Sequence, residues 1–106
     1  MKQDEFKTDV IFRRWPDTDF NLIIALFPYE IDNIEKGFVS SYEHLGQHSG
    51  ADYDGVIRGT VPAKENEYHA LKSELESIGY NLNIVKRRNY NRYLEELNEL
   101  RCVNSL

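Results

Sequence analysis

Phe20-Asn21-Leu22-Ile23-Ile24-Ala25-Leu26-Phe27, closed by Pro28, is the stretch whose reading decides the fold. Its alternating faces, Phe20/Leu22/Ile24/Leu26 and Ile23/Ala25/Phe27, are both mainly apolar. That pattern predicts a central strand covered on both sides, since a strand with one wet face would alternate apolar with polar. Pro28 has no N–H to give to a ladder and predicts the strand's end. Upstream, Val10-Ile11-Phe12-Arg13-Arg14-Trp15 is a second strand candidate, stopped by Pro16 and joined to the central one through the turn chemistry of Asp17-Thr18-Asp19.

Downstream, residues 29–37 read as a polar connection ending in Gly37, and Phe38 to His44 as a third strand with Phe38, Ser40, Tyr42 and His44 on one face. A glycine-punctuated loop follows from Leu45 to Gly55, and Val56-Ile57-Arg58 is at most a short edge strand. Residues 64–78 predict a helix: Tyr68, Leu71, Leu75 and Ile78 form an apolar stripe, Pro62 precedes it and Gly79 follows it. Tyr80 to Val85 alternates as a fourth strand. Tyr90, Tyr93, Leu94, Leu97 and Leu100 then mark a last helix, with Asn89 as its cap. The expected fold class is α+β, in the order β-β-β-loop-α-β-α: a four-stranded, mostly antiparallel (mixed) sheet with two helices, most simply on one face. The second apolar face of the central strand then needs the loop, the second helix or a partner chain to cover it.

The 106 residues fit a single domain, 1–106, with 1–8 and 103–106 expected to fray. A chain of this size buries roughly two-thirds of its unfolded surface, enough for one core, and 41% hydrophobic residues suit that. A net charge of −5 argues against nucleic-acid binding by the whole surface, though not by a local basic patch. Cys102 is the single cysteine, so neither an internal disulfide nor a cysteine-rich zinc site is expected. No apolar run reaches membrane-spanning length and no signal region opens the chain, which makes a cytoplasmic location the default and membrane partners unexpected.

Chemistry-bearing residues concentrate in Tyr42–Gly55, which holds two of the three histidines. Tyr42, His44, Gln47, His48, Asp52, Tyr53 and Asp54 are its candidate binding residues. His44 and His48 are four apart, a spacing that suits metal ligation on a helix, with Asp52 and Asp54 as further oxygen donors. Gly46 and Gly50 argue against a helix, however, and the pattern matches no zinc signature; no metal or other cofactor is assigned. A histidine general base oriented by Asp52 or Asp54 lacks a nucleophile motif beside it. The plainer reading is a tight loop in which the glycines take positive φ and the aspartates bond neighbouring amides. A recognition loop for a protein partner lies between these extremes.

Lys86-Arg87-Arg88-Asn89-Tyr90-Asn91-Arg92-Tyr93 is a second candidate, with Lys86, Arg87, Arg88 and Arg92 as phosphate contacts. Against it, Tyr90 and Tyr93 fit the helix stripe, and Glu95, Glu96 and Glu99 follow closely. Trp15 beside Arg13 and Arg14 is either a partner anchor or, more simply, core.

Four phrases carry a resemblance: Val10-Ile11-Phe12-Arg13, Ile24-Ala25-Leu26-Phe27-Pro28, Tyr42-Glu43-His44-Leu45-Gly46-Gln47-His48-Ser49, and Glu67-Tyr68 with Leu75-Glu76-Ser77-Ile78-Gly79-Tyr80-Asn81-Leu82. Across residues 9–88 the chain resembles a group of small proteins of gut bacteria and of phages or mobile elements, with no assigned activity. The resemblance implies an accessory role exercised by binding and assigns no catalytic residues. The expectation is therefore a non-enzymatic accessory protein, a monomer or small homo-oligomer, that binds a protein partner through residues 42–54. A small metal-dependent or His/Asp hydrolase using the same stretch is the alternative, and nucleic-acid binding through residues 86–93 a further one.

Overall fold

A computed structural model describes residues 7–16, 22–43 and 47–104. The elements are β1 (Thr8–Arg14), β2 (Ile23–Asn33), β3 (Phe38–Glu43), β4 (Gln47–Ala51), α1 (Tyr53–Gly59), β5 (Val61–Pro62), α2 (Glu65–Ser77), β6 (Leu82–Ile84) and α3 (Tyr90–Asn104). The fold is α+β. Six strands and three helices, among the described residues, replace the expected four and two. The sheet runs β4-β3-β2-β1-β5, and β6 lies along the other half of the β1 edge. Every pairing is antiparallel except β1–β6.

The central strand behaves as its two apolar faces require. Ile24 and Leu26 enter one core with Tyr53 of α1 and Tyr93 and Leu97 of α3. Ala25 and Phe27 enter a second with Leu71 and Leu75 of α2. The helices therefore cover both faces, correcting the expectation that two would share one. A β2 residue alternation that buries both sides demands this three-layer arrangement.

Other expectations are corrected as well. Pro28 does not end β2, which continues to Asn33. The ladder with β1 reaches only the Ile11–Leu26 pair, and the register with β3 jumps from Phe27–Ser40 to Ile31–Val39. Pro28 thus falls in a bulge, where its missing donor leaves no ladder position empty. Residues 29–33 belong to that strand, with Tyr29 and Ile31 packed on the α1/α3 core. The expected loop from Leu45 to Gly55 contains β4 and the start of α1, and Val56-Ile57-Arg58 is helical. Its glycines were expected at positive φ; Gly50 is not, and Gly46 lies outside the described residues. Finally, Ile78, Tyr90 and Leu100 are exposed at the ends of their helical stripes.

Asn89 caps α3 as expected, its Oδ1 accepting the Arg92 N–H at 3.1 Å. At the end of α2, Gly79 takes φ +114° while its N–H reaches the Glu76 carbonyl and the Tyr80 N–H the Leu75 carbonyl. That closing motif turns the chain back across the sheet and delivers Tyr80 to the face that α2 covers. Among the described residues no helix is long and apolar enough to cross a membrane.

Candidate functional site

The seven candidate residues of the Tyr42–Asp54 stretch do not form one cluster. Alternation along β3 and β4 sends Tyr42 and His48 to the α2 face, whereas Tyr53 and Asp54 lie on the α1/α3 side. Tyr42 is core: its ring is fully buried and its hydroxyl donates to the Glu74 carboxylate on α2. Tyr53 is buried too. Asp52 stands at the N-cap of α1 and Asp54 in its first turn. His44 lies outside the described residues, so its expected place on the Tyr42 face is not described, and Gln47 is described as backbone only.

His48 is an exposed member of a small aromatic and acidic group. It pairs with Tyr42 across the β3–β4 ladder and meets the Tyr42 ring edge-on, with centroids 4.6 Å apart. Its Nε2 lies 3.3 Å from the Tyr80 hydroxyl, and Tyr80 stacks on Phe27 beneath it. Much of Glu30 meets solvent, yet enough protein surrounds its carboxyl that burial pushes the pKa up, while the nearby His48 opposes the rise. Burial likewise raises the Tyr80 phenol, and Glu30 adds to the rise. Beside this group, Gly50 makes room for Asp32: a Cβ built there would strike the Asp32 carboxylate. Glu30, Asp32, Glu74 and Tyr80 were not among the sequence candidates. The alternation Tyr29-Glu30-Ile31-Asp32, apolar then acidic with period two, was the available signal for the first two.

The β4 strand supplies the other half of the site. Among the described residues it pairs with β3 alone, which makes its outer side a sheet edge. Which peptide groups face outward follows from the ladders. Val10 and Phe12 turn their carbonyls to Val85 and Ala63, away from β2. Odd residues of β1 therefore bond to β2, and the pair registers carry the alternation across the sheet to Ser41–Ser49. Hence Gln47, Ser49 and Ala51 turn their peptide groups toward β3, and His48 and Gly50 present theirs outward.

The basic segment is spent differently. The Arg88 guanidinium lies between the rings of Tyr53 and Tyr93, 4.1 and 4.0 Å from their centroids, with Asp54 Oδ1 3.5 Å from Nη2. The Arg88 N–H also donates to the Tyr53 hydroxyl at 3.0 Å. Arg92 covers the Tyr29 ring at 3.9 Å and pairs with Asp9. Two of the four cations offered to phosphates thus tie α3 to the sheet and α1. Lys86 lines a cleft of about 290 Å³ between β5 and β6, and Arg87 is exposed. Trp15 packs against the α1/α3 core, the simpler of its two readings.

Among the described residues no three His, Cys, Asp or Glu side chains converge as metal ligands. No family model matches the chain, and no curated protein or solved structure matches it. What the fold and site define is a three-layer α+β protein whose sheet ends in a hairpin edge carrying His48.

Proposed function

We propose that the chain is a binding protein that takes an extended segment of a protein partner as a further strand along β4. One observation carries this: the outward peptide groups of His48 and Gly50 lie in an edge strand, Gln47–Ala51, without a charge or a proline. Edges left idle are usually blunted by lysine, proline or a bulge, because their unpaired N–H and C=O groups template pairing with any other strand. An unblunted edge suits strand addition, in which main-chain bonds give affinity and alternate side chains give specificity. His48 and the Tyr80 hydroxyl beside it would read the added strand on the α2 face.

An accessory, non-catalytic role in bacteria, on a phage or mobile element, is the setting that the resemblance over residues 9–88 supports. Against catalysis by His48 with Asp54 stands the position of Asp54, paired with Arg88 on the opposite layer. Against phosphate binding stands the stacking of Arg88 and Arg92 on tyrosines.

The test is affinity capture with the wild type and with His48→Pro. Proline at 48 deletes an outward donor and leaves the inward ladder intact, so it suits an edge strand. A partner held by the wild type and lost by the folded variant supports the reading. Equal capture by both refutes it.

A further inference from the structure

We infer that the strand which fits the β4 edge is β4 of a second copy, paired antiparallel about a two-fold axis at Ser49. The inference rests on the strand-addition reading and names its occupant. An antiparallel pair centred on Ser49–Ser49 sets His48 opposite Gly50 of the other copy, and Gly50 opposite its His48. These are the two residues whose peptide groups face outward, so both pairs exchange two N–H···O bonds, four in all. The arrangement is isologous, which a two-fold dimer requires.

Side chains select this register. His48 and Gly50 share the α2 face, and residues directly opposite each other on a ladder have Cβ positions about 5 Å apart. Gly50 has no side chain, and the space above it is taken by the Asp32 carboxylate. Each imidazole is therefore presented to an acid of the other copy. His48 spends Nε2 on the Tyr80 hydroxyl, which leaves Nδ1 for that carboxylate. An imidazole–carboxylate hydrogen bond made twice across the axis is charge-complementary. Pairing centred on His48 or on Gly50 would instead oppose histidine to histidine or glycine to glycine. The edge strand itself bears no acidic residue, so two chains of net charge −5 can approach there. Four main-chain bonds correspond to a small interface at about one hydrogen bond per 100–200 Å². The dimer should be weak, with a dissociation constant of about 0.1–1 mM.

Sedimentation of the full chain at about 20 µM and about 1 mM tests this. The expected result is a monomer of 12.5 kDa at the lower concentration and a shift toward twice that mass at the higher. His48→Asp sets acid against Asp32 of the other copy, and Asp32→Arg sets a cation against His48. Each variant alone should stay monomeric at about 1 mM, whereas an equimolar mixture should regain the dimer, because each mismatched position then faces an opposite charge. In a Cys102→Ser background, Ser49→Cys should cross-link on oxidation and Gln47→Cys should not, since residue 47 faces residue 51 in this register. A wild type that stays monomeric at about 1 mM overturns the inference, as does cross-linking of Gln47→Cys in preference to Ser49→Cys. If the wild type is monomeric while His48→Pro still abolishes partner capture, the strand-addition reading stands and the second copy is not its occupant. If His48→Pro captures its partner unchanged, strand addition itself has failed.

Discussion

Replacing Arg88 separates the two roles that a basic segment can have. The side chain is 8% exposed, and its guanidinium is held between the rings of Tyr53 and Tyr93. A cation over one ring is worth about 0.5–1 kcal/mol when exposed and about 2 when desolvated, so the two rings together give about 2 kcal/mol. Truncation to alanine also strips buried methylenes at about 0.8 kcal/mol each. Desolvation of the charge opposes both terms, and Asp54, 66% exposed at 3.5 Å, offsets only part of it. The net expectation for Arg88→Ala is a loss of about 2–3 kcal/mol, read as a lower urea midpoint at unchanged slope. In a thermal melt that corresponds to a drop of about 10–15 °C. Arg88→Met keeps most of the buried stem and should lose about 1 kcal/mol. A cycle of Arg88→Met with Tyr93→Leu should return a coupling of at least about 0.5 kcal/mol, because the bond from Tyr93 to the Gly37 carbonyl cancels in the cycle. If Arg88→Ala melts within about 0.5 kcal/mol of the wild type and abolishes a salt-dependent affinity for nucleic acid, the residue is a phosphate contact and the structural assignment is wrong.

Three further outcomes follow from the fold. Burial raises the Glu30 pKa in the folded state, so over the window above the ordinary glutamate value the native protein binds more protons than the unfolded one. The contribution of Glu30 to stability is therefore most favourable below that window and falls as pH rises through it; in urea melts from pH 4 to 8, the wild type should lose stability with rising pH relative to Glu30→Gln. Gly37→Ala should cost more than Gly79→Ala, although both sit at positive φ: a Cβ at Gly37 meets the Tyr93 hydroxyl, whereas nothing lies within 4 Å of one at Gly79. The strain alone is worth about 1 kcal/mol, so equal losses in thermal melts would refute the packing part. Asn89→Ala removes the cap of α3 and should cost about 1 kcal/mol, while an unchanged midpoint would mean that the Arg92 amide finds another acceptor.

What was legible in the chain is what local pattern encodes. Ile23 to Phe27 announced a strand buried on both faces because both of its alternating sets are apolar, and the two cores take those sets separately. Glu65–Ser77 and Tyr90–Asn104 announced helices through stripes and caps. The errors fall where tertiary partners decide. Pro28 reads as a stop in isolation, but the β1 ladder has already ended there and a bulge accommodates it. Val56-Ile57-Arg58 has β-branched residues and reads as strand. It is helical because Arg13, reaching over from β1, donates to the Ile57 and Thr60 carbonyls and so satisfies the end of α1. Burial lowers the Arg13 pKa, in keeping with that enclosed position.

The candidate site was half legible, and the reason bears on function. Composition alone marked Tyr42–Asp54 as unusual, but Gln47-His48-Ser49-Gly50-Ala51 has no strand signature; its register comes from β3. Glycine weakens a strand and is kept where another group must approach closely. At Gly50 that group is Asp32, from a strand two positions away in the sheet, which no spacing along the sequence connects to it. The same residue that hides β4 from a pattern reader opens the space in which an acid faces outward beside His48. A strand optimised only for the stability of its own sheet would carry a β-branched residue at 50 and a charge at 48 or 49. Under the strand-addition proposal, weak local propensity and an unblunted edge would have one explanation in common: β4 would be shaped by a partner strand on its outer side as well as by β3. Gly50→Val puts that to the test, since it favours the strand locally and displaces Asp32. It should leave the melting midpoint within about 1 kcal/mol of the wild type while abolishing strand capture, and a variant that captured its partner normally would break the link between the two features.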